Sequence, residues 1–151
     1  MNVFGIDPGP DRSAYLQLID GEIVDYDIEE NSVLLSLLRS ISPSTNFHLA
    51  IEGIASYGMP VGKETFETCY FIGKCLEAFK GPSTIVLRRD IKIYFCGSMK
   101  AKDANIRQAV LDKYGGKEKA IGKKSNPGPL YGIKSHLWPA LALALFFSHT
   151  K

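Results

Sequence analysis

The chain is short of cysteine and of long apolar runs, and each shortage excludes something. Its three cysteines, Cys69, Cys75 and Cys96, stand at no metal-ligand spacing and cannot all pair. Buried free thiols in a reducing compartment, the cytosol, are therefore expected, rather than a disulfide scaffold or a zinc finger. No apolar stretch reaches the roughly 18 residues that a membrane-spanning helix needs. The longest, Pro139 to Phe147, reads as a buried helix. The opening MNVFGIDPG has no basic n-region and no long apolar h-region, so no secretory signal is expected. Internal repeats and low-complexity linkers are also missing. Residues 1–151 are thus expected to form one domain, large enough for its own core.

Charge is present but unevenly spread. Residues 1–87 hold 5 Lys/Arg against 12 Asp/Glu, whereas residues 88–134 hold 12 against 4. The basic second half points to an anionic partner. The acidic first half then needs its own explanation, and carboxylates that hold metal are one.

Apolar patterning predicts strands at 3–6, 13–19, 22–26, 47–51 and 84–87, the first three forming an antiparallel meander with Asp20-Gly21 as a turn. Leu34, Leu37, Leu38 and Ile41 mark a helix over 32–41, capped by Asn31 or Ser32. A second helix is expected over 63–79, with Phe66, Cys69, Tyr70 and Gly73 on one stripe and Ile72, Leu76 and Phe79 beside it. A third is expected over 104–114 with Asp103 as N-cap, and a last over 135–148 with Pro139 in its first turn, where proline is tolerated. Residues 90–95 fit a strand or a short helix equally. Residues 115–134 read as a Gly/Lys/Pro-rich loop. This order predicts an α/β fold, a five-stranded mixed sheet with helices on both faces.

Two of the apolar strands end on acids, Asp7 and Glu52. If the strands are neighbours, both acids emerge at one sheet edge, where ligand sites of α/β sheets gather. Facing carboxylates repel unless a cation lies between them, and magnesium prefers such oxygen ligands. His136 opens the final helix, in a turn that can aim a ligand at that edge. His48 and His149 have no comparable setting and read as structural.

These residues carry a resemblance. Gly5-Ile6-Asp7-Pro8-Gly9, then Ala50-Ile51-Glu52, then His136 followed by Ala140-Leu141-Ala142-Leu143-Ala144 resemble the RuvC family of Holliday junction resolvases, within the RNase H-like nucleases. The phage and prophage members are the closer match, through Ser13–Tyr15, Ile51–Cys69, Cys96–Ala109 and Pro127–Ala142. The resemblance implies an RNase H-like fold and a homodimer in a bacterial cytoplasm. It implies a structure-specific endonuclease of DNA recombination and repair, which binds four-way junctions and cuts two strands symmetrically by hydrolysis. It also implies two Mg²⁺ ions per site, with Mn²⁺ as a substitute. Asp7 matches the ligand shared by both metals, Glu52 the second, and His136 the first of two C-terminal ligand positions. The other C-terminal position, usually aspartate, is Pro139 here. Asp103 is the best candidate to replace it, though an aspartate before Ala104-Asn105-Ile106 also makes an ordinary N-cap.

Contacts to DNA phosphates fall to Lys100, Lys102, Arg107, Lys123, Lys124 and Lys134, with Arg88 and Arg89 extending the basic region. Tyr57 and Met59, in a loop after Glu52, are candidates for an apolar wedge into the open junction centre. The helix over 63–79 is apolar on more than one stripe, as a dimer face would be. Pro139 keeps two alternatives open: a nuclease for flaps or forks, and a junction-binding protein that cuts weakly. Actin-like ATPases share the Gly-Ile-Asp-x-Gly opening but need a second phosphate loop, which this chain lacks. Gly122-Lys123-Lys124 is not a P-loop, so no nucleotide cofactor is expected.

Overall fold

The computed structural model describes residues 1–151. Strands β1 (Asn2–Asp7), β2 (Arg12–Ile19) and β3 (Glu22–Glu30) form the expected antiparallel meander. Asp20 and Gly21 both take positive φ, at 50° and 85°, which is the backbone that a tight hairpin between right-twisted strands requires. Strand β4 (Phe47–Gly53) then pairs parallel to β1, and β5 (Ser83–Leu87) parallel to β4. The sheet order is β3-β2-β1-β4-β5. This is the expected five-stranded mixed sheet.

Alternation along the strands decides what each face carries. Phe4 and Ile6 of β1, with Leu49 and Ile51 of β4, point to one face and pack under α1 (Asn31–Ser40) and α2 (Lys63–Ala78). Val3 and Ala50 point to the other. There they meet α3 (Arg88–Cys96), α4 (Asp103–Lys113) and α6 (Leu137–Thr150). Asp7 continues the series Val3, Gly5, and Glu52 the series His48, Ala50. Both acids therefore belong to the α6 face.

Helix α6 is apolar all round and buried from Leu137 to Phe147 except at Pro139 and Phe146, as a helix enclosed on every side must be. It lies on β1, β2 and β4, and Gly5 lets it come close. A β-carbon on Gly5 would stand 3.0 Å from the Ala140 carbonyl oxygen and 3.1 Å from Ala144 Cβ.

Of the apolar faces expected on α2, the Phe66, Cys69, Tyr70 and Gly73 stripe is exposed, and the helix buries Thr68, Phe71, Ile72, Cys75 and Ala78. Several expectations are corrected. Only Cys75 is a buried thiol; Cys69 is exposed and Cys96 half-buried. Neither Asn31 nor Ser32 caps α1. Glu30 holds that position without a side-chain bond, because the Asn31 amide is engaged elsewhere. Lys102, not Asp103, is the N-cap of α4. Residues 90–95, which fitted a strand or a short helix, are helical. The stretch 115–134 is not all loop. It contains α5 (Lys117–Ile121) and a small hairpin of β6 (Gly122–Lys123) and β7 (Asn126–Pro127), anchored by the fully buried Ala120 and Leu130. No helix is long and apolar enough to cross a membrane.

The close approach at Gly5 gives a test. Gly5→Val should overpack the β1–α6 contact and lower stability by about 1–3 kcal/mol. A urea midpoint equal to that of wild type would contradict this packing.

Candidate active site

Asp7 and Glu52 stand one step beyond the paired residues Ile6 and Ile51, at the carboxyl ends of adjacent parallel strands. Both lie largely out of water: Asp7 is 9% exposed, and the Glu52 side chain 14%. Burial raises the pKa of each above the ordinary carboxylate range, because the charged form loses its hydration. For Glu52 the charge of Asp7 adds to burial, and its pKa is pushed up to about 7 even though Arg88 opposes the rise. For Asp7 the effect of burial is opposed by its hydrogen bond with His136.

The loop after Asp7 is braced from below. Ser13 Oγ accepts from the Gly9 N–H at 3.0 Å and donates to Asn31 Oδ1 at 2.7 Å. The Asn31 amide in turn donates to the carbonyls of Gly9 at 3.0 Å and Pro10 at 3.2 Å. This network occupies the side chain that the sequence suggested as a helix cap. It fixes Pro8-Gly9-Pro10 as the floor of a cleft of about 660 Å³, which Asp7, His136, Glu64 and Thr68 also line.

His136 precedes α6 and follows Ser135, whose φ of 51° is rare for a residue with a β-carbon. That left-handed step turns the chain so that His136 Nδ1 lies 2.9 Å from Asp7 Oδ2. With Nδ1 protonated, the imidazole donates to Asp7 and leaves Nε2 as an acceptor.

On the far side of Glu52 stands Arg88, the first residue of α3. Its guanidinium donates to Glu52 Oε1 at 2.9 Å and also to Asp103 Oδ1. Asp103, exposed at the start of α4, is thereby tied to the acid pair through an arginine. A cavity of about 30 Å³, room for one water, is shared by Arg88, Asp103 and Pro139. Asp103 has thus come to lie next to the proline that interrupts the ligand pattern. The series His136, Asp7, Glu52, Arg88, Asp103 runs along one edge of the fold.

No three His, Cys, Asp or Glu side chains converge as a ready-made metal cage. Asp7 and Glu52 nevertheless suit magnesium. That ion keeps several waters and is commonly held by one or two carboxylates together with substrate phosphates. A cation between them would also relieve their mutual repulsion.

Sequence reasoning missed the bridging role of Arg88, although the signal was present. Arg88 directly follows an apolar strand, as Asp7 and Glu52 close theirs, and the strand-end rule was applied only to acids. The bracing by Ser13 and Asn31 had no signal, since both read as ordinary turn or cap residues. Of the basic residues, Lys100, Lys102, Lys123, Lys124 and Lys134 are exposed. Lys123 belongs to the β6–β7 hairpin and Lys124 to its turn. Arg107 is also exposed and stacks over Trp138, 4.5 Å from the ring centroid. Tyr57 is 65% and Met59 73% exposed, both on the loop between β4 and α2.

No protein-family model and no curated protein matches the chain. Solved structures do match. The Thermus thermophilus RuvC structure aligns over 99% of this chain and 96% of its own, with a TM-score of 0.69 and 18% sequence identity. The fold is that of RuvC. T. thermophilus RuvC in complex with Holliday junction substrate aligns over 99% and 95%, with a TM-score of 0.66 and 18% identity. At that identity the shared property is the fold, which bears out the expected RNase H-like sheet and its helices.

The raised Glu52 pKa sets a pH dependence. The folded protein holds a proton on Glu52 up to about pH 7, while the unfolded chain releases it near 4.5. The protonated form therefore favours folding below pH 4.5, and that contribution is lost as pH rises to about 7. It amounts to about 3 kcal/mol at most. Thermal melts in chelator should show this loss, and Glu52→Gln should flatten it. An unchanged slope in the variant would contradict the assignment.

Proposed function

We propose that this chain is a divalent-metal-dependent endonuclease that binds four-way DNA junctions and cuts them symmetrically by phosphodiester hydrolysis. The observation that carries the reading is the buried pair Asp7 and Glu52, side by side at one sheet edge and joined to His136. The RuvC fold supports it, since one structure of that fold is a complex with Holliday junction substrate. Resemblance in Ile51–Cys69 and Pro127–Ala142 adds sequence support and suggests a phage or prophage type.

Asp7 and Glu52 would hold Mg²⁺, or Mn²⁺ in its place. The ion supplies a polarised phosphoryl oxygen and a water acidic enough to attack near neutral pH. His136 Nδ1–H orients the Asp7 carboxylate, and Nε2 can ligate the ion or take the proton released by the attacking water. Attack on phosphorus breaks the bond to the 3′ oxygen. Asp103 is the further acid, in the part that Pro139 leaves without a ligand.

DNA phosphates would be met by Lys100, Lys102, Arg107, Lys123, Lys124 and Lys134, making affinity strongly salt-dependent. The exposed Tyr57 and Met59 suit a wedge at the junction centre. The exposed stripe of α2, with Phe66 51% and Tyr70 66% exposed, suits a homodimer face that sets two active sites on one junction. One observation favours a second reading, a junction-binding protein that cuts weakly: no three ligands converge.

Asp7→Asn and Glu52→Gln should each lower single-turnover cleavage by at least about 100-fold, roughly 3 kcal/mol of barrier, while junction binding in a gel-shift assay stays near wild type. Cleavage at normal rates by both variants would overturn the site. For the dimer, sedimentation at micromolar concentration should give twice the chain mass, and Tyr70→Glu should give a monomer. A monomeric wild type would remove the α2 interface from the account.

A further inference from the structure

One basic side chain at the site joins two acids. Arg88 reaches Glu52 and Asp103 with two arms of one guanidinium. The two acids come from different elements, the end of β4 and the start of α4. No other side chain forms an ion pair with either acid. The side chain is 29% exposed, so its ion pair with Glu52 is partly shielded from water. Arginine does not deprotonate in proteins, and its fork spans two carboxylates, where a lysine ammonium would act as a point charge.

The neighbourhood on the α6 side is consistent with this. Pro139 offers no ligand there, and the cavity between it, Arg88 and Asp103 holds only about 30 Å³. On the Asp7 side of Glu52 the situation is reversed. There Asp7 lines a cleft of about 660 Å³, with Glu52 at the end of the adjacent strand, and the only nitrogen partner of Asp7 is the imidazole of His136.

We propose that this chain is a one-ion site in which Arg88 is the built-in second cation. A single divalent ion sits at Asp7 and Glu52, and Arg88 holds the Glu52–Asp103 side with a fixed positive charge. Its unused N–H groups are available to the oxygens of a DNA phosphate. The inference rests on the metal reading of Asp7 and Glu52 given above. It differs from what the RuvC resemblance implies, which is two ions.

The test counts ions and needs no cleavage. Mn²⁺ is titrated into the DNA-free protein, and bound ions per chain are read by electron paramagnetic resonance and calorimetry. Wild type should bind one ion. Arg88→Met, which removes the charge and keeps the bulk, should bind two, the second being lost again in Arg88→Met combined with Asp103→Asn. Arg88→Lys should still bind one. Two ions in wild type would overturn the inference while leaving the metal site intact, and so would a single ion in a folded Arg88→Met. No ion in wild type would instead sink the metal reading itself. Should Arg88→Met fail to fold, Arg88→Gln takes its place, and the wild-type count stands without any variant. As a second readout, the rate of single-turnover cleavage of a four-way junction should rise with the first power of Mg²⁺ below saturation. A second-power dependence would contradict a one-ion site.

Discussion

Two carboxylates, Asp7 and Glu52, are held out of water on adjacent parallel strands, and their repulsion is the constraint to which the rest of the site answers. Burial first, and then the charge of Asp7, push the Glu52 pKa up to about 7, so the pair resists ionisation. The protein offsets the strain from both ends. His136 donates to Asp7, and Arg88 donates to Glu52. Between these partners Asp7 lines the cleft, with Glu52 beside it on the neighbouring strand.

The positions of the acids follow from elementary geometry. Strand alternation places Asp7 and Glu52 on one face, and the parallel β1–β4 pairing places them side by side. Helix α6 must lie close on that face for His136 to reach Asp7, and the absence of a side chain at Gly5 permits it. The Ser13–Asn31 network ties the Pro8-Gly9-Pro10 loop beside the acids to β2 and α1. Core packing and site geometry are thus parts of one arrangement.

Much of this could be read from the chain. The five strands, the acids at their ends and the buried final helix all register in local apolar pattern and in the stops set by Pro and Gly. The resemblance to RuvC pointed to the same fold. What escaped was of two kinds. Which α2 face meets the sheet was left open, because Phe66, Tyr70 and Cys69 are as apolar as a core stripe and periodicity alone does not rank two apolar faces. Pairings across the fold, such as Arg88 with Glu52 and Asp103, depend on which elements become neighbours and leave no periodic trace. Short elements such as α5 rest on single anchors, Ala120 and Leu130, too few for a pattern to emerge.

The central claim is that this fold, with its acid pair, cuts branched DNA. It is tested most directly by incubating the wild-type protein with end-labelled four-way junctions, flaps, forks and linear duplex, in Mg²⁺, in Mn²⁺ and in chelator. Paired, symmetric incisions in the four-way junction, dependence on divalent metal, and little or no cutting of linear duplex are expected. Binding to every branched substrate with no incision in either metal would contradict it, and so would equal cutting of linear duplex.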